Sequence, residues 1–226
     1  MMKRIIWLGQ AGLLFEFDGL TVMIDPYLSD SVKEIEPQNY RRIPVDESFF
    51  DIKPDILVFT HNHLDHYDSE TAKRFLTADS GITVLSPRSV WENVRSFGGN
   101  NNYVCFNRHT SWTENGVTFT AVKAEHSDPA AIGVVINTGS KKYYVTGDTL
   151  YNEEMFSDLH DDIHAIFLPI NGVGNNMNMT DAARFVEKIN PKYAVPIHIG
   201  MFDSISPNDF VCDKKVIPEI YKEIEL

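Results

Sequence analysis

The sequence predicts an α/β domain of two β-sheets packed face to face with helices outside, and three observations lead there. Short apolar runs bounded by turn residues fill both halves of the 226 residues, each half contains an antiparallel meander, and later strands alternate with capped helical segments. The chain carries no low-complexity tract, no linker-like stretch and no internal repeat, so a single domain spanning 1–226 is expected.

Taken in order, Arg4 to Leu8, Leu13 to Phe17 and Thr21 to Asp25 read as strands, the last two joined by an Asp18-Gly19 hairpin turn. From Pro26 to Pro54 no period is sustained, which predicts a long surface loop of the kind that often acts as a lid. Ile56 to Phe59 is a continuous apolar run, the pattern of a strand buried on both faces. Asp68 is placed to cap a helix through about Ala78, Ile82 to Leu85 returns as a strand, and Ser86-Pro87 offers a cap for a helix through Phe97. The second half repeats the theme with strands at Val117 to Lys123, Ile132 to Asn137 and Lys142 to Thr146. Two further strands, Ala165 to Ile170 and Ala194 to Ile197, flank a helix from about Asp181 to Ile189 that Thr180 would cap.

Composition narrows the function. Twenty Lys and Arg against 32 Asp and Glu give a formal charge of −12, which disfavours nucleic acid and anionic membranes as partners. The two cysteines, Cys105 and Cys212, support neither a disulfide framework nor a thiolate metal site, and a reducing compartment fits. Lys3 and Arg4 before an apolar run give the N-terminus a superficial signal-peptide look, which Gly9 and Gln10 interrupt. With no apolar run long enough to span a bilayer, a cytoplasmic protein is expected, and a homo-oligomer is compatible with the sequence.

The chemistry concentrates in His61-Asn62-His63-Leu64-Asp65-His66, immediately after a buried strand. Strand ends are where α/β architectures present functional loops. In an extended segment His61 and His63 point the same way and can reach one ion, while Asp65 and His66, past the turn, can face a second. Four crowded ionisable groups need a cation or solvent to compensate them, and metal is the stronger reading. Three more candidates follow strands: His126, Asp148 and His198.

These residues, with Asp148 in Thr146-Gly147-Asp148-Thr149, resemble the metallo-β-lactamase superfamily almost end to end. Leu8-Gly9-Gln10-Ala11-Gly12, Ile24 to Asp30, Asn178-Met179-Thr180 and Pro196-Ile197-His198 are similar to the branch containing L-ascorbate-6-phosphate lactonase and related metal-dependent hydrolases. The resemblance implies a four-layer αββα sandwich. It also implies one metal site of His61, His63 and His126, a second of Asp65, His66 and His198, and Asp148 bridging them. Five imidazoles and two carboxylates suit zinc or manganese, with iron as an alternative, rather than calcium.

Two such ions about 3.5–4 Å apart share a water, lower its pKa and polarise a scissile oxygen, and their four positive charges exceed the two of the carboxylates. The expected activity is therefore hydrolysis of a small anionic ester, lactone or phosphoester by a hydroxide bridging the metals. By analogy with this fold, Asp65 and Asp148 are the catalytic candidates, Asp65 orienting the hydroxide and shuttling a proton.

Around this set, Asp25 reads either as an acceptor for a ligand imidazole or as an ordinary Asp-Pro turn. The Asn171 to Asn178 segment and Thr180 read as substrate contacts at a helix N-terminus or as plain turn chemistry. Arg41 and Arg42 are placed to clamp an anion or simply to be exposed, and Ser127, beside His126, is a further substrate-contact candidate. His109, His160 and His164 read as surface histidines, and Phe49, Phe50, Trp91 and Phe97 as core or lid packing. Three rival functions stay open: a mononuclear iron oxygenase like the persulfide dioxygenases, using His61, His63, His126 and Asp148; a phosphodiesterase or nuclease; and a non-catalytic, metal-stabilised binding module.

Overall fold

Apolar residues fill both faces of the first strand, β1 (Met2–Gly9), because it has a layer to pack against on each side. Ile5 and Trp7 point into one core, Ile6 and Leu8 into another. A computed structural model describes residues 1–159, 162–200 and 205–226, and its order begins with β1, β2 (Gly12–Phe17) and β3 (Leu20–Ile24), an antiparallel meander. Next come α1 (Ser31–Ile35), β4 (Ile56–Val58), α2 (Ser69–Phe75), β5 (Thr83–Ser86), α3 (Arg88–Val94) and β6 (Asn102–Cys105). The second half supplies β7 (Ser111–Glu114), β8 (Val117–Lys123), β9 (Ile132–Asn137), β10 (Lys142–Val145), β11 (Ile163–Pro169), α4 (Met179–Ile189) and β12 (Tyr193–Ile197).

Strands β1 to β6 form one sheet in sequence order, parallel from β3 onward, and β7 to β12 form the other, parallel across β10, β11 and β12. The sheets face each other across the main core, where the Phe15 ring meets Tyr143 at 6.0 Å and Phe167 at 5.5 Å between centroids. Helices α2 and α3 cover the outer face of the first sheet through Ala72, Phe75, Val90 and Val94. Helix α4 covers the second through Ala182, Phe185 and Val186, with Phe185 against Tyr144. This is the αββα layering the sequence implies.

Several expectations need correction. Strands β6 and β7 carry short, half-polar patterns that period-two reading passes over. Ser86 belongs to β5 and Pro87 occupies the cap position of α3 without a side-chain cap, so the helix starts at Arg88 and gives way to a 3₁₀ turn at Arg95–Phe97. Asp68 caps α2 as expected, accepting from the Glu70 and Thr71 amides, but the helix stops at Phe75. Asn178, not Thr180, caps α4, because its side chain sits where it can accept from the Asp181 amide. The Pro26 to Pro54 stretch is not structureless: it holds α1 and a 3₁₀ turn at Glu47–Asp51.

His164 is not a surface residue but half-buried in β11, its ring between Tyr143 and Tyr193. His109 is exposed and pairs with Asp158, while His160 lies outside the described residues. The C-terminal segment closes both sheets along one edge, with Tyr221 and Ile224 amides donating to Trp7 and Ile5 and the Val216 amide to Ala194. No helix among the described residues is long and apolar enough to cross a membrane.

Because the fully buried Phe15 ring bridges the two sheets, Phe15→Ala is expected to lower unfolding free energy by about 3–5 kcal/mol in urea titrations. A change near zero would show that the sheets are held together elsewhere.

Candidate metal centre

Every predicted ligand sits just beyond a strand, and all converge at one end of the sandwich. The 61–66 loop follows β4, His126 follows β8, Asp148 follows β10 and His198 follows β12. Two groups form: His61, His63, His126 and Asp148, and Asp65, His66 and His198, with ligand atoms in each group within 4.8 Å of one another. The groups meet at Asp148, whose Oδ1 lies 3.2 Å from His66 Nε2 and Oδ2 3.2 Å from His198 Nε2. Gly147 makes this possible: it holds φ +60°, and a Cβ there would come within 2.9 Å of the Ile132 carbonyl and 3.0 Å of Thr60 Cβ.

Each of the five imidazoles turns one nitrogen inward and fixes the other. His66 Nδ1 donates to Asp25 Oδ2 at 2.8 Å. The Thr60 hydroxyl donates to the same Asp25 oxygen at 2.5 Å, which leaves it to accept from His61 Nδ1 at 3.1 Å. His126 Nδ1 faces the Asn175 carbonyl at 3.3 Å, His63 Nε2 the Ser127 hydroxyl at 3.2 Å, and His198 Nδ1 the Asn171 amide at 3.0 Å. Such outer partners set the tautomer and aim the lone pair of a ligand imidazole.

What faces inward is chemically incomplete. His61 Nε2 and Asp148 Oδ1 are buried without a hydrogen-bond partner. His63 Nδ1 and His126 Nε2 approach to 3.2 Å, and since His126 must donate from Nδ1 to a carbonyl, its inward nitrogen bears a lone pair. His66 Nε2 and His198 Nε2 lie 3.1 Å apart. The orphaned His61 Nε2 and Asp148 Oδ1 and the inward lone pair of His126 Nε2 converge with nothing to accept from unless a cation sits among them, so the donor set fits divalent metal.

The groups differ electrostatically. Burial, reinforced by neighbouring imidazoles, pushes His61 well below the usual histidine range and also lowers His126, so both offer neutral nitrogens. Burial works the same way on His66 and His198, but the surrounding carboxylates outweigh it. Asp148, Asp25 and Asp65 raise His66 well above its ordinary value, and Asp148 and Asp65 raise His198 to about 10. Burial opposes ionisation of Asp65 and Asp148, yet the same imidazoles hold both carboxylates below the usual range.

The remaining candidates take particular places. Asp25 is fully buried and accepts a hydrogen bond from the candidate ligand His66. The 171–178 loop braces the ligands: beyond Asn171 and Asn175, Asn176 Nδ2 donates to Asp148 Oδ2 at 2.8 Å. The Asn178 side chain caps α4, and Thr180 is exposed in its first turn. Arg41 is buried, not exposed, and spans to the Tyr27, Leu8 and Ile43 carbonyls and the Tyr221 hydroxyl, while the Arg42 guanidinium stacks over Tyr40 at 4.8 Å.

Sequence reading missed Thr60 and gave Gln10, Asn175 and Asn176 no role in bracing the candidate ligands. The Gln10 carbonyl accepts from the His198 amide at 2.9 Å, and its side chain reaches Asp65 Oδ2 at 3.5 Å. The one available signal was backbone strain, since Gln10, Asp25, Asn175 and His198 all hold positive φ, and that requires coordinates.

Comparison with known proteins bears on the family and the fold. The chain matches the beta-lactamase superfamily domain over residues 21–199. It is 28% identical over 240 residues to a metal-dependent hydrolase of Methanopyrus kandleri, covering 99% of this chain and 95% of that one. A second relative of that description, from Sulfurisphaera tokodaii, is 29% identical over 246 residues, covering 100% and 96%. Among solved structures, a metallo hydrolase of Ignicoccus hospitalis superposes with a TM-score of 0.78 at 22% identity over 99% of this chain and 98% of its own.

Asp25→Asn keeps a residue that tolerates the left-handed backbone but removes one acceptor, so metal affinity measured by competition with a chelating dye should fall about 10- to 100-fold. In the metal-free chain His66 and His198 hold protons at pH 7, and an entering ion must displace them. Metal uptake should therefore release protons, and affinity should rise with pH toward about 10. Calorimetry in buffers of different ionisation enthalpy reads that release directly; uptake without proton release would contradict the electrostatic account.

Proposed function

The chain belongs to the beta-lactamase superfamily, and from that premise we propose that it is a dinuclear metal-dependent hydrolase acting on a small ester, lactone or phosphoester. His61, His63 and His126 would hold one ion, Asp65, His66 and His198 the other, and Asp148 would touch both. The observation that carries the reading is the set of five imidazoles, each held on its outer nitrogen and turned toward a centre where His61 Nε2 and Asp148 Oδ1 have no hydrogen-bond partner. Zinc or manganese suits those ligands, and such ions bound side by side lower the pKa of water toward neutrality and polarise a scissile oxygen.

The protein's own residues supply the rest. His63 and Asp65 border a cavity of about 380 Å³, so Asp65 is the acid of the second group that meets a substrate. Its Oδ2 is committed to His198 Nε2 at 3.2 Å and Gln10 Nε2 at 3.5 Å, which leaves Oδ1 to accept a proton from attacking water and return it to the leaving group. A His63 that holds an ion through Nδ1 would carry its proton on Nε2, which faces the Ser127 hydroxyl at 3.2 Å, so it could not serve as base for that serine, and water is favoured as the nucleophile. The attraction for negative charge belongs to the reacting centre, where the positive charges of two divalent ions outnumber the carboxylates.

The test is a panel of esters, lactones and phosphoesters offered to protein stripped of metal and reloaded with zinc or manganese. Turnover should vanish on stripping and return on loading, and Asp65→Asn should cut kcat by about 10²- to 10⁴-fold. Turnover that survives metal removal would overturn the proposal.

A further inference from the structure

The cavity beside the ligands is assembled from three segments, and none brings a cation. Val32, Leu64 and Val173 give it apolar wall, Asn39 and Asn62 give it amides, and Glu36 is its outlying charge. No Lys or Arg is among its described lining residues. The segments that carry the candidate ligands also lack such side chains, because residues 54–72, 124–140, 143–183 and 193–213 contain neither Lys nor Arg.

The cations of the early loop have partners of their own. Lys33 Nζ and the Arg42 guanidinium both lie over the Tyr40 ring, at 5.0 and 4.8 Å from its centroid, and Arg41 is buried among backbone carbonyls. Glu36 instead stands on the rim with Oε2 accepting from Asn39 Nδ2 at 2.9 Å. A phosphate or carboxylate on the far part of a substrate would meet no Lys or Arg among the described lining residues and would sit beside an existing carboxylate.

Resting on the hydrolase reading above, we propose that the part of the substrate outside the scissile bond is uncharged or cationic, and that Glu36 is the residue selecting against an anionic tail. The substrate class is then an ester, lactone or phosphoester whose remote part is neutral or amine-bearing, rather than a sugar phosphate.

Three hydroxamic acids of equal length, ending in methyl, ammonium or carboxylate, separate the possibilities by calorimetry on the zinc-loaded protein, with no turnover required. The expected order is ammonium at least equal to methyl, with carboxylate several-fold weaker. Glu36→Gln should narrow the gap, and Glu36→Lys, a change at an exposed position, should reverse it. Carboxylate binding as tight as methyl in the parent, or an order unchanged in Glu36→Lys, overturns this inference and leaves the metal centre standing. Failure of all three to bind overturns the metal centre itself.

Discussion

Asp25 lies fully buried where β3 ends, and three groups depend on its carboxylate. It accepts from the Thr60 amide at 2.8 Å, from the Thr60 hydroxyl, and from His66 Nδ1. Through Thr60 it also sets His61, so one carboxylate aims an imidazole in each ligand group. A buried charge left unpaired would be costly, and the fold compensates this one with donors that belong to the metal centre. Strands β3 and β4 are parallel neighbours, paired Ile24 to Val58, which brings Asp25 and the 61–66 loop to the same end of the sheet. The positive φ of Asp25 is the local cost of turning its side chain toward them.

The second sheet contributes in the same manner. Parallel pairing of β10, β11 and β12 delivers Asp148, Asn171 and His198 side by side. The loop after β11 then braces what its neighbours present: Asn171 to His198, Asn175 to His126 and Asn176 to Asp148. A glycine and asparagine content that reads as turn chemistry thus serves as scaffolding. Sheet order and ligand order are one constraint, since the ligands assemble only when both sheets present their carboxyl ends together.

Much of this was legible in the sequence because it is local. Apolar runs such as Ile56 to Phe59 locate strands by period and composition, and the ligands follow those strands within a few residues. The outer partners were not legible for a physical reason: Thr60 meets Asp25 across 35 positions and Asn176 meets Asp148 across 28, separations that no local pattern encodes. Asp25 itself presented two readings, turn or acceptor, and only its tertiary neighbours decide between them. Strands β6 and β7 escaped because four half-polar residues carry too little periodicity, and the C-terminal segment because it pairs through isolated bridges along both sheet edges.

The most direct measurement is metal content per chain by elemental analysis, on the parent and on His198→Ala, expressed without added metal. The account predicts close to two zinc or manganese ions in the parent and a clear drop on removing His198, because that residue belongs to one ligand group alone. A single ion per chain in the parent, unchanged in His198→Ala, would contradict a two-ion centre and leave only the His61, His63, His126 and Asp148 group in use.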